Sequence, residues 1–225
     1  MNRLRIAVIG VGHLGQHHAR ILASLPDVEL VAVVDSQTER ARSIAEKCGT
    51  RALSDHRTLL DQVDAVSVAV PTCYHREVAV PFLERGIATL VEKPLAGSLN
   101  DAEILASTAR AHNAVLQVGH IERFNPAMEA FREQSIRPRY INAERLSTHT
   151  FRSVDIGVVH DLMIHDIDLV LSMNDSPVRS VSAVGLSLFG QHEDVANARV
   201  EFEDGCVANI TASRASFTAV RKMRI

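Results

Sequence analysis

The sequence predicts an α/β fold: a doubly wound parallel sheet over residues 1–119, followed by a smaller C-terminal α+β domain over residues 120–225. Three observations lead there. Gly10, Gly12 and Gly15 form a GxGxxG directly after a short apolar run. Apolar runs then alternate with helical patterns as far as Val118, the rhythm of βαβ units. Beyond Gly119 that rhythm breaks, and the apolar runs after Arg179 follow one another without helical patterns between them.

The elements follow in order. Leu4 to Ile9 is aliphatic and β-branched and predicts a first strand; a helical pattern runs from Gly15 through Leu25. Val28 to Val34 is nearly all apolar, as a strand buried on both faces must be. Thr38 to Cys48 predicts a helix that Gly49 ends. Ala65 to Val70 is a strand, followed by Pro71-Thr72 and a helix to Arg85 closed by Gly86. Thr89 to Val91, Asn100 to His112 and Val115 to Val118 complete the first domain as strand, helix, strand. In the second, Asn125-Pro126 is a helix start, with Asn as cap and Pro at the first helical position. Tyr140 to Ser147 predicts a strand, Val158 to Met173 a helix, and Val181–Leu188, Ala196–Phe202 and Val207–Ser213 three further strands, with Asp204-Gly205 as a hairpin turn.

Composition narrows the function classes. Of 225 residues, 46% are hydrophobic and 23% charged, which argues against global disorder. A formal net charge of −3, no Trp and 4% aromatics disfavour nucleic acid as a partner. No apolar run reaches the ~18 residues of a membrane span, and the run Ile6–Ile9 is too short for a signal-peptide core. Cys48, Cys73 and Cys206 are odd in number, far apart and lack a CxxC pair. A disulfide framework and a thiolate metal site are therefore not expected, and a reducing cytoplasm is.

The glycine fingerprint carries a specific chemistry. The first glycine permits a tight turn, the second lets backbone approach a pyrophosphate, and the third permits close helix packing. The helix that follows offers its N–H groups and dipole to the anion. Asp35 ends the next strand 20 residues after Gly15, where a carboxylate accepts hydrogen bonds from the adenosine ribose hydroxyls. That carboxylate would repel a 2′-phosphate, so NAD is expected over NADP; Arg40 and Arg42 lie near enough to soften the preference, or are solvated helix charges.

Three other groups of residues could carry chemistry. Glu92-Lys93-Pro94 follows a buried strand at its carboxyl end, where open α/β sheets bind ligands, and a Lys there can stabilise a developing alkoxide. Val70-Pro71-Thr72-Cys73-Tyr74-His75 follows another such strand end; His75 either contacts cofactor or substrate or simply starts a helix. The stretch His160 to Asp168 is the densest polar cluster, with Asp161 and His165 spaced i, i+4 on one helix face. It reads three ways: His165 as a general base, a His/Asp metal site, or an amphipathic helix with a solvated polar face. The metal reading is weakest, because no HExxH-type spacing is present, and no metal is expected.

Taken together, Gly10–Gly15, Val70-Pro71-Thr72 with His75, Glu92-Lys93-Pro94 and Asp161-x3-His165 resemble the Gfo/Idh/MocA family of NAD(P)-dependent oxidoreductases, which act mainly on sugars and cyclitols. The resemblance implies Lys93, Asp161 and His165 as catalytic residues. It implies cofactor contacts from Gly10, Gly12, His13, Leu14, Gly15 and Asp35, and from Pro71, Thr72, His75, Glu92 and Lys93. A narrower resemblance, carried by Gln117–Pro126 and Asp161–Asp168, is to the branch that includes UDP-N-acetylglucosamine 3-dehydrogenases, which oxidise the sugar C3 hydroxyl to a ketone that an aminotransferase can use for lipid A. It adds His120, Arg123 and Asn125 to Lys93, Asp161 and His165 as substrate-binding residues; for Arg123 and Asn125 structural hydrogen bonding is the alternative. A non-catalytic NAD-binding protein of the same fold, a cyclitol dehydrogenase and a metal-dependent lyase or hydrolase using His160, Asp161 and His165 are the competing functions. Family members are usually longer, and their second domain carries a mostly antiparallel sheet through which they commonly form homo-oligomers, so the resemblance implies such a sheet here. The chain here stops in an alternating strand, Val220 to Ile225, so an incomplete second domain is expected.

Overall fold

A computed structural model describes residues 3–148 and 156–225. The chain divides into two compact units, Met1–Gly119 and His120–Ile225.

The first unit is built on a six-stranded parallel sheet in the order β3-β2-β1-β4-β5-β6. Its strands are β1 (Leu4–Ile9), β2 (Val28–Val34), β3 (Arg51–Leu53), β4 (Ala65–Val68), β5 (Ala88–Val91) and β6 (Leu116–Val118). The order reverses between β1 and β4, which makes their carboxyl ends the switch point where such sheets bind ligands. The apolar run of β1 explains the two-sided burial. Ala7 and Ile9 face one core with Phe82, Leu83 and Leu105 from α3 (His75–Leu83) and α4 (Leu99–Ala111). Val8 faces the other core, with Ala19 from α1 (Gly15–Ser24) and Ile44 and Ala45 from α2 (Thr38–Cys48). Gly49 and Gly86, expected to end helices, sit at φ +65° and +71°, where a side chain would be strained. α4 opens on Ser98, whose hydroxyl accepts the Asp101 N–H at 3.2 Å.

The second unit carries a five-stranded sheet ordered β11-β7-β10-β9-β8, with β7 (Tyr140–Leu146) parallel to β10 (Val207–Ser213) and every other pairing antiparallel. β8 (Val178–Leu186), β9 (Val195–Phe202) and β11 (Val220–Arg224) are the remaining strands. Ile141, Ala143, Ala198, Phe202, Ala208 and Ile210 pack from the sheet against Met163 and Val170. α5 (Pro126–Glu133) opens as the sequence predicts: Asn125 Oδ1 accepts the Ala127 N–H at 3.0 Å and Pro126 is the first helical residue.

Several boundaries differ from expectation for identifiable reasons. β3 is an edge strand of three residues led by an arginine, so it shows no apolar run. β4 stops at Val68 and α3 starts at His75, with one 3₁₀ turn, Thr72–Tyr74, between them. β8 ends at Leu186 rather than Leu188 because the Asp194 carboxylate captures the N–H groups of Leu188 and Phe189 and turns the chain. The helix expected over Val158–Met173 is two pieces, a π-helical turn Val159–Met163 followed by α6 (Ile164–Met173).

Candidate functional site

The glycine loop has the shape its spacing implies. Gly10 sits at φ +83°, and a Cβ there would lie 2.7 Å from the Ala69 carbonyl oxygen. At Gly15 a Cβ would lie 1.8 Å from the Gly10 carbonyl oxygen, so the start of α1 closes onto the loop with no room for a side chain. Gly12 is different: the nearest atom to a Cβ there is Arg40 Nη1 at 3.8 Å. The middle glycine leaves open space above its backbone, the feature a pyrophosphate needs.

Asp35 is 7% exposed and sits immediately beyond β2. Its Oδ2 accepts the Val11 N–H at 3.0 Å and a guanidinium N–H of Arg40 at 3.3 Å, and Oδ1 accepts the Gln37 N–H at 2.9 Å. A carboxylate has about four acceptor positions, so this one retains capacity for a ribose hydroxyl. Of the two nearby arginines only Arg40 reaches Asp35; Arg42 pairs with Glu39 on an exposed helix face.

Lys93 is half-buried at the carboxyl end of β5, in a turn held from several sides. The Lys93 N–H donates to the Glu92 carboxylate at 3.2 Å, and His18 Nε2 on α1 lies 3.2 Å from the same group. His18 Nδ1 is 2.7 Å from the hydroxyl of buried Ser67 on β4. Burial would raise the Glu92 carboxyl, but the His18 contact and the Lys93 N–H outweigh it and hold it below the usual carboxylate range. Gly119 leaves room for this carboxylate, since a Cβ there would lie 2.8 Å from Glu92 Oε1. His75 is 1% exposed, with Nδ1 3.1 and 3.2 Å from the carbonyls of Pro94 and Leu95 and Nε2 3.0 Å from that of Val70. The ring sits between the β4 loop and the Lys93 turn, and whichever nitrogen carries the N–H donates to a carbonyl there.

In the second unit the His160–Asp168 cluster is not a solvated polar face. Asp166 and Asp168 are buried. Asp166 takes a bidentate pair from Arg145 on β7, both distances 2.9 Å, and Arg145 also reaches Glu122 at 3.1 Å. Burial would lower the Arg145 guanidinium, but Asp166 and Glu122 raise it further, so its charge is secure. Asp168 takes a bidentate pair from Arg123 at 2.6 and 2.7 Å, and His120 Nε2 lies 3.8 Å away. Asn125 spends its side chain on capping α5 and on Glu122 at 3.2 Å. Asp161 lies in the π-helical turn and His165 at the start of α6, both partly buried. Among the described residues no group of three or more His, Cys, Asp or Glu side chains is arranged to hold a metal ion, and no helix is long and apolar enough to cross a membrane.

Comparison with known proteins gives this geometry its place. Residues 4–120 match the oxidoreductase family with an NAD-binding Rossmann fold, and residues 117–225 match the Gfo/Idh/MocA C-terminal domain. The chain belongs to the Gfo/Idh/MocA family of oxidoreductases. It is 40% identical to UDP-N-acetylglucosamine 3-dehydrogenase of Acidithiobacillus ferrooxidans, covering 100% of this chain and 72% of that protein. The solved structure of that enzyme superposes with a TM-score of 0.94 over 100% of this chain and 74% of that one. The scyllo-inositol 2-dehydrogenase (NAD(+)) of Bacillus subtilis is 30% identical, covering 96% of this chain and 68% of its own length. GenD2 from gentamicin A biosynthesis, solved in complex with NAD, is 28% identical with a TM-score of 0.88, over 99% of this chain and 69% of that chain.

The matched Rossmann fold is an NAD-binding one, and the residues of this chain fit that cofactor. The open backbone at Gly12, the closed one at Gly15 and the spare acceptor capacity of Asp35 are the three features a dinucleotide needs. Sequence reasoning missed His18, Ser67, Glu122, Arg145, Glu193, Asp194 and Arg214. His18 had a signal, since it lies three residues after Gly15, one turn into the helix it opens. The others meet partners far along the chain, and no local pattern marks them.

Proposed function

We propose that this chain oxidises a ring hydroxyl of a nucleotide sugar, UDP-N-acetylglucosamine at C3, to a ketone. Identity of 40% sustained over the whole chain to the Acidithiobacillus ferrooxidans enzyme of that name carries this reading. NAD would supply the acceptor for the hydride that leaves the ring carbon. Asp35 would hold its adenosine ribose and the N–H groups around Gly12, His13 and Leu14 its pyrophosphate, with Pro71, Thr72 and Glu92 lining the strand ends. His165 takes the proton of the sugar hydroxyl, Lys93 steadies the negative charge that develops on its oxygen, and Asp161 orients the imidazole. Lys93 and His165 are both chemically able to serve as the base, and a pH profile of each variant separates them. His120, Arg123 and Asn125 form the sugar and diphosphate side; Arg123, braced by Asp168, still has N–H donors beyond those it spends there. The first unit binds NAD, and the second binds the sugar and makes the contact between copies through its sheet. The ketone product suits a following transamination, as in lipid A assembly.

The test mixes purified protein with NAD and, separately, UDP-N-acetylglucosamine, N-acetylglucosamine and myo-inositol, and follows NADH appearance. NADH from the nucleotide sugar, abolished in Lys93→Ala and His165→Ala, is the expected result. NADH from myo-inositol alone would replace this reading with cyclitol oxidation, which the 30% identity to the scyllo-inositol enzyme favours as the second choice. NAD binding with no turnover on any of the three would sink both.

A further inference from the structure

The chain that joins β8 to β9 grips the start of the helix that bears Asp161 and His165. The Glu193 carbonyl oxygen accepts the Val158 N–H at 2.8 Å, and its carboxylate Oε1 accepts the Val159 N–H at 3.1 Å. Both N–H groups lie where a helix's own carbonyls cannot reach, and a carboxylate is favoured there by the helix dipole. The fit is tight: a Cβ on Gly157 would lie 2.0 Å from Glu193 Oε1 and 2.2 Å from Cδ and Oε2. Glycine at 157 is what lets the carboxylate lie against the backbone.

Glu193 is itself held. Its neighbour Asp194, 1% exposed, takes Arg214 Nε at 2.6 Å and the N–H groups of Leu188 and Phe189 at 2.6 and 2.7 Å. Arg214 Nη1 then donates to the Ile156 carbonyl at 2.9 Å, the residue before Gly157. One arginine at the end of β10 thus secures both Glu193's own chain and the chain entering the helix.

We propose that Glu193 is a positioning residue for the oxidation, fixing Gly157–Val159 and through them Asp161 and His165. The proposal rests on the roles given to those two residues above. The route is short. The Asp161 N–H donates to the Gly157 carbonyl at 3.0 Å, and the Ile164 N–H donates to the Val159 carbonyl five residues back, the bond that makes the turn π-helical. The backbone acceptors that set Asp161, and Ile164 just before His165, belong to residues Glu193 grips. Such π turns recur at functional sites.

The experiment compares Glu193→Ala, Glu193→Asp and Glu193→Gln in the full chain by amide hydrogen exchange of the peptide spanning 157–165 and by steady-state kinetics at saturating NAD. Ala removes the acceptor, Asp keeps the charge but is one methylene short, and Gln keeps an oxygen that accepts the same N–H. Exchange in that peptide rises for Ala and Asp, and kcat falls by about 10- to 100-fold with KM changed less, as sub-ångström misplacement of reacting groups implies. Gln restores both, and the Kd for NAD is unchanged in all three. Unchanged exchange in Ala and Asp, normal kcat despite faster exchange, or Gln as impaired as Ala would each overturn the proposal. If Ala does not fold, the Asp and Gln pair decides. Should Asp161→Ala and His165→Ala both turn over normally, the catalytic reading fails, while exchange still reports whether Glu193 holds the helix.

Discussion

Replacing Asp194 by Asn tests how much of the second unit's stability rests on one buried carboxylate. Burial alone would raise the Asp194 carboxyl, but the N–H groups of Phe189 and Leu188 and the Arg214 guanidinium outweigh it and bring it from 3.8 to about 2. At about 1.4 kcal/mol per tenfold change in proton affinity, that is about 2.5 kcal/mol in favour of the folded state at neutral pH. The sign follows from the direction. A carboxyl depressed on folding contributes fully above its unfolded value, near pH 4, and the contribution disappears as pH falls toward 2. Asn removes the charge and leaves the Arg214 guanidinium buried without its partner, which puts the total loss at about 2.5–5 kcal/mol. The chain has no Trp, so urea unfolding is followed by far-UV circular dichroism. With a slope of about 2 kcal/mol per molar, the transition of the variant at pH 7 should move down by about 1.2–2.5 M. The gap to the parent should narrow as pH drops from about 4 toward 2. A midpoint within about 0.3 M of the parent at pH 7, or a gap that does not change with pH, would refute the reasoning.

Three further predictions come from the same geometry. Gly12→Ala has room in the protein and should fold with its thermal midpoint nearly unchanged, yet weaken NAD at least about tenfold in a binding titration, whereas Gly15→Ala should lose stability and NAD binding together. Asp35→Asn should raise the Kd for NAD by about tenfold and lower that for NADP, because Arg40 then faces the 2′ position without a competing carboxylate; equal effects on both cofactors would count against it. Arg145→Met should cost about 3–5 kcal/mol by chemical denaturation, since Asp166 is left buried and charged. Adding Asp166→Leu should recover most of that loss, and a double variant as unstable as the single would argue that packing, not charge, holds the pair.

The candidate residues of the two units were unequally legible. Every determinant around the pyrophosphate is local. A positive φ at Gly10, the missing Cβ at Gly15 and an acid beyond β2 are consequences of residue type at fixed spacing, so one sequence suffices to find them. The π-helical turn was not legible, because Val158–Met173 has the apolar spacing of an ordinary helix and the extra residue per turn leaves no mark in composition. Nor was the burial of Asp166 and Asp168. An isolated reading makes acids on a helix a solvated face, but their partners stand 21 and 45 residues earlier, on β7 and just after β6. The arginines that neutralise these acids are what overturn the solvated-face reading.

The placement of those partners carries the argument further than stability. α6 is fixed from two directions by bidentate arginine pairs, Arg145 on Asp166 and Arg123 on Asp168, and the turn before it is fixed by Glu193. Buried ion pairs are a poor means of gaining stability, because apolar residues of the same volume usually do as well or better. What a bidentate pair adds is direction: a planar guanidinium meets a carboxylate in one orientation, so each pair restricts the rotation of the helix about its axis. Asp166 and Asp168 are two residues apart, about 200° around a helix, so the two pairs constrain that rotation from nearly opposite sides. His165 is adjacent to the first and three residues before the second. A helix anchored in this way has little freedom to turn its histidine aside, and orientation at that level is what the role proposed for His165 would require and what hydrophobic packing alone supplies least well.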